Sequence, residues 1–265
     1  MALSIIEQHY NKHPEDLRLQ RRHGIVEFET TMHHLHRFLK EMRRMRGDRP
    51  LQILDIGAGT GRYASALMAE GCRVKAVELV RRNIDVFLKR EPEADVVQGD
   101  ARSMPFLPDG FADVTLLLGP LYHLIGDGEK LKVLSEARRV TKPDGVIFVA
   151  YLMNEYSILS YCFDEERMAD LMARGMVDDD FHVRTPEGEL YDYVRMDDVD
   201  RLNHLAGLKR VTAFSPDGAS DYMRTRLNRM SDETFRLFVE YQKKISERQE
   251  LIGAGSHIVD VVCRK

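Results

Sequence analysis

Apolar positions repeat in two ways along this chain. Ile25, Phe28, Met32, Leu35, Leu39 and Met42 return every three or four residues, the spacing of one face of an amphipathic helix over about 25–46. From residue 51 the pattern changes to short strand-like segments at 51–56, 73–78, 95–100, 112–118 and 146–151, apolar at 51–56 and nearly continuously so at 112–118. Runs of that length predict buried, mostly parallel strands. Helix-forming stretches separate them: 63–70, stopping at Gly71; 81–90, stopping at Pro92; and 127–140. Residues 141–145, Thr-Lys-Pro-Asp-Gly, are expected to turn before the fifth strand. Strands alternating with helices predict an α/β sheet.

After residue 151 the pattern loosens. Residues 164–200 carry 13 acids against 4 bases, the composition of a solvated insertion or of an acidic lid. If Asp178, Asp179 and Asp180 face a ligand pocket, such a lid would favour an amine or other cationic ligand over a carboxylate. Glu187-Gly188 is expected to turn a small hairpin. A helix follows over 197–207, with an acidic first turn and a glycine stop, and then a sixth strand over 208–214. Residues 221–251 are expected to be mostly helical, with Ser231 as an N-cap, and 256–263 to form the last strand. The chain divides into a helical cover, 1–48, and a main domain, 49–265, with insertions at about 154–196 and 216–254.

Composition narrows the function classes. A chain of 265 residues, 43% hydrophobic and 31% charged, suits one large domain with an added lid. Its net charge of −4 offers no general attraction for a phosphate backbone, so no nucleic-acid partner is expected. No run reads as a signal peptide or a membrane span. The three cysteines, Cys72, Cys162 and Cys263, are scattered, as reduced thiols in a cytoplasmic protein would be. His33, His34 and His36 lack a companion Cys or carboxylate pair and read as incidental to the helix.

The glycines carry the chemistry. Asp55-Ile-Gly57-Ala58-Gly59-Thr-Gly61 follows the first strand and opens the next helix. The dinucleotide fingerprint G-x-G-x-x-G fails here, because its third glycine would fall on Arg62. The pattern resembles the first motif of the class I S-adenosylmethionine-dependent methyltransferases. The run 135–147, Ser-Glu-Ala-Arg-Arg-Val-Thr-Lys-Pro-Asp-Gly-Val-Ile, also looks like that family's fifth helix, turn and strand, and the resemblance spans 51–151. It implies a Rossmann-like seven-stranded mixed sheet with helices on both faces, the seventh strand antiparallel between the fifth and sixth. It also implies an N-terminal helical cover, inserted lid segments and S-adenosyl-L-methionine as cofactor. By the same resemblance Asp55 lies near the methionine moiety, with Gly57, Ala58, Gly59 and Gly61 under the cofactor. Asp100 and Ala101 would meet the adenine, Leu118 and Gly119 would also contact the cofactor, and the stretch 119–124 would hold the groups nearest the transferred methyl. Glu78, followed by Leu79, ends the second strand, where an acid accepts hydrogen bonds from ribose hydroxyls.

Methyl transfer needs orientation, exclusion of water and sometimes a base. Gly119 stands where enzymes acting on base amines carry a carbonyl donor, which argues against that acceptor. No carboxylate follows Leu118, so no metal is expected. His123 is the candidate base, with loop packing as the alternative, and Tyr122 would shape the acceptor pocket. Tyr10, Glu27, Tyr151, His182 and His257 are further pocket candidates. The expected activity is methyl transfer to nitrogen, oxygen or sulfur of a small molecule. The rivals are an RNA or protein methyltransferase, a non-catalytic S-adenosylmethionine-binding protein and a nicotinamide-dependent oxidoreductase.

Overall fold

The computed structural model describes residues 5–12, 21–47 and 49–265. Much of the polar stretch 10–18 that precedes the first long helix therefore lies outside the described residues. The short α1 (Ile5–Lys12) and the long α2 (Arg22–Arg46) come first. Then β1 (Gln52–Ile56), α3 (Arg62–Ala69), β2 (Arg73–Glu78), α4 (Arg81–Arg90), β3 (Asp95–Gln98), β4 (Ala112–Leu117), α5 (Asp127–Val140) and β5 (Thr141–Met153) alternate as the apolar runs predict. The first insertion holds α6 (Asn154–Ser157), α7 (Met168–Ala173) and the two-residue β6 (Tyr193–Val194). After it come α8 (Met196–Ala206), β7 (Leu208–Phe214), α9 (Arg224–Leu227), α10 (Asp232–Ile245) and β8 (His257–Arg264).

The sheet runs β3-β2-β1-β4-β5-β8-β7, with β8 antiparallel to both its neighbours. This is the expected mixed topology, with β6 added as an eighth strand beside β5 at Leu152 and Met153. Successive strand residues face opposite sides, and each side has its own core. Ile53, Leu116, Phe148 and Val261 pack with Leu35 and Leu39 of α2, Leu67 of α3 and Phe87 of α4. Leu54, Leu117, Ile147 and Val262 pack with Val133 and Ala137 of α5 and Leu202 of α8. The chain leaves β1 toward β2 on one side and returns to β4 on the other. That reversal opens a crevice beyond the strand ends, the usual ligand position in such sheets.

Two local expectations are corrected. Residues 141–145 do not turn; they belong to β5 and bulge, since Ala112 pairs with Thr141 but Val114 with Val146. Buried Asp113 sits opposite the bulge and draws Arg46 and Lys142, each at 2.8 Å. Glu187-Gly188 turns without a hairpin around it; the nearest pairing is an isolated bridge between Val177 and Val183. The expected N-cap at Ser231 is present, accepting the Thr234 N–H at 3.1 Å, and the stretch 221–251 holds two helices, α9 and α10. Helices α9 and α10 then close Leu227, Phe235 and Val239 over Val26 of α2.

Candidate active site

Beyond β1 the chain passes three left-handed glycines, Gly57, Gly59 and Gly61, at φ 71°, 56° and 77°. Their reasons differ. A Cβ on Gly57 would lie 2.5 Å from Pro120, and one on Gly61 2.3 Å from the Phe87 ring, so both are needed for close packing. Gly59 instead gives its N–H to Glu78 Oε2 at 2.8 Å. Glu78 is buried at the end of β2, and its Oε1 accepts the Val80 N–H at 2.9 Å and Asn83 Nδ2 at 3.2 Å. Glu78 thus ties the glycine loop to the end of β2 at the wall of a cleft.

Asp55, one residue before the end of β1, is 2% exposed, and its Oδ2 meets no hydrogen-bond partner. Burial, then the charge of Glu78, push its pKa up to about 7, while the Ala64 N–H in the first turn of α3 opposes the rise. Asp55 and Glu78 form the floor of a cleft of about 1200 Å³, part of it open to solvent. Asp100 lies along the same cleft beside Arg102 at 2.6 Å, and that guanidinium holds its carboxyl below the usual range.

Tyr10 of α1, Tyr122 and His123 line the far part of the cleft. Tyr122 and His123 belong to a single tight turn, Pro120–His123, after β4. His123 Nδ1 lies 3.0 Å from the Leu190 carbonyl, which can only accept, so the proton is on Nδ1. Nε2 then accepts from the Tyr10 hydroxyl at 2.9 Å. Burial, with the charge of His9 adding to it, pushes its pKa down to about 4, while the bond to the Leu190 carbonyl opposes the fall.

A second cavity, of about 850 Å³, shares Tyr10 and Tyr122 as walls. Tyr156, Tyr161, Tyr191 and Tyr193 line it from the first insertion, and His257 from the start of β8. The insertion is pinned there by specific bonds. The Asp192 N–H donates to the Tyr122 carbonyl at 2.8 Å, and the Asp192 carboxylate pairs with Lys130, only 2% exposed. Burial raises the Tyr193 hydroxyl to about 12, so it stays neutral. His257 Nδ1 is 2.6 Å from Asp217 Oδ2, and the ring lines the cavity. Burial raises the Asp217 carboxyl, and His257 opposes the rise. Asp217, Asp221 and His257 offer three possible metal-ligand atoms within 4.8 Å of one another. Two of these groups are already held, Asp217 by His257 and Asp221 by Arg224 at 2.9 Å.

Residues 54–149 match the family model described as a methyltransferase domain. The chain carries a class I S-adenosylmethionine-dependent methyltransferase domain. Within its reach, a demethylmenaquinone methyltransferase from Renibacterium salmoninarum is 35% identical over 99 residues, 37% of this chain and 40% of that protein. The chain thus aligns with about two-fifths of the length of that curated relative. The fold extends further. The PH0226 protein from Pyrococcus horikoshii superposes with a TM-score of 0.58 at 15% identity, covering 97% of this chain and 99% of that one. A 1,6-didemethyltoxoflavin-N1-methyltransferase from Burkholderia thailandensis, with its namesake substrate and S-adenosylhomocysteine bound, gives 0.53 at 15% identity over 100% and 92% of the two chains.

In this methyltransferase domain the structure gathers Asp55, Gly57, Ala58, Gly59, Glu78, Leu79, Asp100, Ala101, Leu118 and Gly119 around one cleft. Gly61 is not among its walls and serves the packing against Phe87. Three pocket candidates line neither cavity. Tyr151 is 1% exposed and packs in the core with α5 and α8, because alternation along β5 turns it inward. His182 pairs with Asp198 at 3.3 Å. Glu27 of α2 acts on Asp217 only as a neighbouring charge. The acids Asp178 to Asp180 also lie away from both cavities; Asp178 is held by Arg184 at 2.7 Å and by the N–H groups of Asp180 and His182. Of the histidine run, His34 stacks on Phe214 at 3.9 Å and meets Ser246, while His36 pairs with Glu70. Sequence reasoning passed over Arg62, Asn83 and the insertion tyrosines. A signal existed only for Arg62, in its departure from the dinucleotide pattern.

Proposed function

We propose that the chain transfers a methyl group from S-adenosylmethionine to a small-molecule acceptor lodged in the tyrosine-lined cavity. The observation that carries this reading is the meeting of the two cavities at Tyr10 and Tyr122. One cavity has the groups that a nucleoside with an amino-acid tail needs; the other has aromatic walls and a histidine–carboxylate pair. The fit to the cofactor is supported by the unpartnered, buried Asp55 Oδ2, which suits a ligand ammonium, and by Glu78, which suits ribose hydroxyls. When bound, the cofactor supplies an electrophilic methyl on a sulfonium.

The residues of the chain then do the rest. Tyr122, Leu118 and Gly119 bound the junction where the acceptor must approach. The insertion tyrosines exclude water and orient the acceptor. His257, with Asp217 behind it, takes the proton from an acceptor that has one to lose, and the carboxylate stabilises the imidazolium that forms. His123 is a positioning residue that holds Tyr10 across the junction. The names of the similar proteins, which specify demethylmenaquinone and 1,6-didemethyltoxoflavin, agree with a small-molecule acceptor. Residues 1–48 and the two insertions act as cover and lid. Among the described residues no helix is long and apolar enough to cross a membrane, and a cytoplasmic location suits the free Cys72, Cys162 and Cys263.

Calorimetric titration with S-adenosylhomocysteine and with NAD tests the cofactor, and S-adenosylhomocysteine alone is expected to bind. A methyl-transfer screen over phenols, amines, thiols and carboxylates then tests turnover. Binding of S-adenosylhomocysteine with no transfer to any class, peptides and RNA included, would favour a non-catalytic binder.

A further inference from the structure

Many arginines in this protein are held by acids. Arg46, Arg102, Arg139 and Arg210 each pair with buried or half-buried carboxylates. Arg62, a wall of the cofactor cleft, makes no ion pair among the described residues. Its Nε is buried without a hydrogen-bond partner. What does hold it is apolar: the guanidinium carbon lies 4.7 Å from the centre of the Phe28 ring, and Phe28 in turn packs on Tyr63 at 5.1 Å. The guanidinium is therefore stacked on one aromatic face, while no acid stands beside it and a buried donor remains to be satisfied.

A complementary group sits close by in the fold. Arg62 is the first residue of α3, and the N–H of Ala64, two residues on, donates to the carboxylate of Asp55. An unpaired cation and a half-satisfied acid thus flank one helical turn at the edge of one cleft. The ligand that answers both is an α-amino acid: its ammonium needs an acceptor, and its carboxylate needs a planar donor fork, to which guanidinium is matched. The helix N-terminus adds its own preference for a negative group.

We propose that Arg62 binds the α-carboxylate of the cofactor's methionine tail, while Asp55 accepts the ammonium. This assignment rests on the cofactor reading above and extends it to a residue outside the glycine motif. It also gives a reason for an arginine where a dinucleotide loop would carry glycine. In this site the amino-acid tail takes the place of the pyrophosphate.

The test needs no acceptor. S-adenosylhomocysteine, its decarboxylated analogue and 5′-methylthioadenosine, which lacks the whole tail, are titrated into the parent protein, Arg62→Met and Arg62→Lys. Methionine keeps the contact with Phe28 and removes only the charge. The parent should prefer S-adenosylhomocysteine over the decarboxylated form by about 10–100-fold, the scale of a hydrogen-bonded charge. Arg62→Met should bring that ratio to about one by weakening S-adenosylhomocysteine alone, with methylthioadenosine affinity and Tm unchanged, and Arg62→Lys should restore part of it. An equal loss of all three ligands in Arg62→Met, or no loss of S-adenosylhomocysteine, overturns the assignment and leaves the cofactor reading standing. A parent that binds none of the three, or that binds ADP more tightly than S-adenosylhomocysteine, overturns the cofactor reading and the assignment with it.

Discussion

The cofactor cleft and the tyrosine cavity share two walls but are built differently. The cleft is lined largely by loops that leave β1, β2, β3 and β4, each a few residues after its strand, and its shape is held by backbone. Gly59 is tied to Glu78, Gly57 is pressed on Pro120 and Gly61 on Phe87. The cavity takes its walls from α1, the turn after β4, the first insertion, the loop after β7 and the start of β8. There the shape is held by side chains, above all the buried Lys130–Asp192 pair and the Asp217–His257 pair. A backbone-built site is matched to a ligand that stays the same. A site built from insertions can change its occupant without disturbing the sheet, and this is a physical reason for one fold to serve many acceptors.

The sharpest way to break that division is at His257. Once an acceptor is found, His257→Asn should lower kcat by about 10²–10⁴-fold while leaving S-adenosylhomocysteine affinity intact. The rate should also lose its rising limb with pH. Asp221 and Glu27 act on the Asp217–His257 pair, and Arg224 acts on Asp221, so the limb belongs to the cluster and not to one ring. A loss of cofactor affinity of the same size would mean that the two sites are not separate.

Glu78→Ala attacks the other side. It leaves the Gly59 and Val80 N–H groups and Asn83 without their acceptor, at about 1–3 kcal/mol for each buried group left unsatisfied. S-adenosylhomocysteine affinity should fall by more than about 100-fold, with a lower Tm. A variant within tenfold of the parent would show that the loop does not depend on that carboxylate.

His123→Gln should do less. With its pKa pushed down to about 4, the ring is neutral across the working range and adds no limb to the rate profile above about pH 5. Its expected effect is a change of less than about tenfold in kcat through a displaced Tyr10. Tyr10→Phe should match that change, and a much larger loss with a shifted pH profile would restore His123 as the base.

The two regions also differed in how far the chain announced them. Strand, glycine loop and acid at the next strand end are local signals, read from a dozen residues at a time, and they led to Asp55, Gly59 and Glu78. The cavity depends on contacts between distant segments. Nothing around Lys130 marks it as a buried lysine, and nothing around Asp192 marks it as that lysine's partner. Without that pair, Tyr191 and Tyr193 look like any residues of an acidic insertion. Tyr151 misled for a different reason. It was expected near a strand end, but β5 runs two residues further, and the parity of the strand sends its ring into the core. Arg62 was read only as an exception to a rule, because a charge without a partner is visible only once its neighbours are in place.

The finest test of the contrast is the pH dependence of Asp55. In the folded chain its pKa is raised to about 7, against an ordinary value near 4 when unfolded. Between those values the folded state keeps a proton that the unfolded chain has lost. The group's contribution to stability is therefore complete below about pH 4 and is lost as pH rises through 7. Asp55→Asn never ionises, so the Tm of the parent relative to this variant should fall steadily from pH 4 to pH 8. Ligand binding should show the opposite slope. An ammonium is held by the ionised carboxylate, and below pH 7 that proton must leave before the ligand is gripped. S-adenosylhomocysteine affinity should thus rise with pH by at most about tenfold per unit, then level off above the pKa. Methylthioadenosine, which has no ammonium, should show no such rise, and Asp55→Asn should flatten the curve for both ligands. A parent protein whose S-adenosylhomocysteine affinity is level from pH 5.5 to pH 8 would separate Asp55 from the amino-acid tail and leave its buried, unpartnered oxygen to another ligand group.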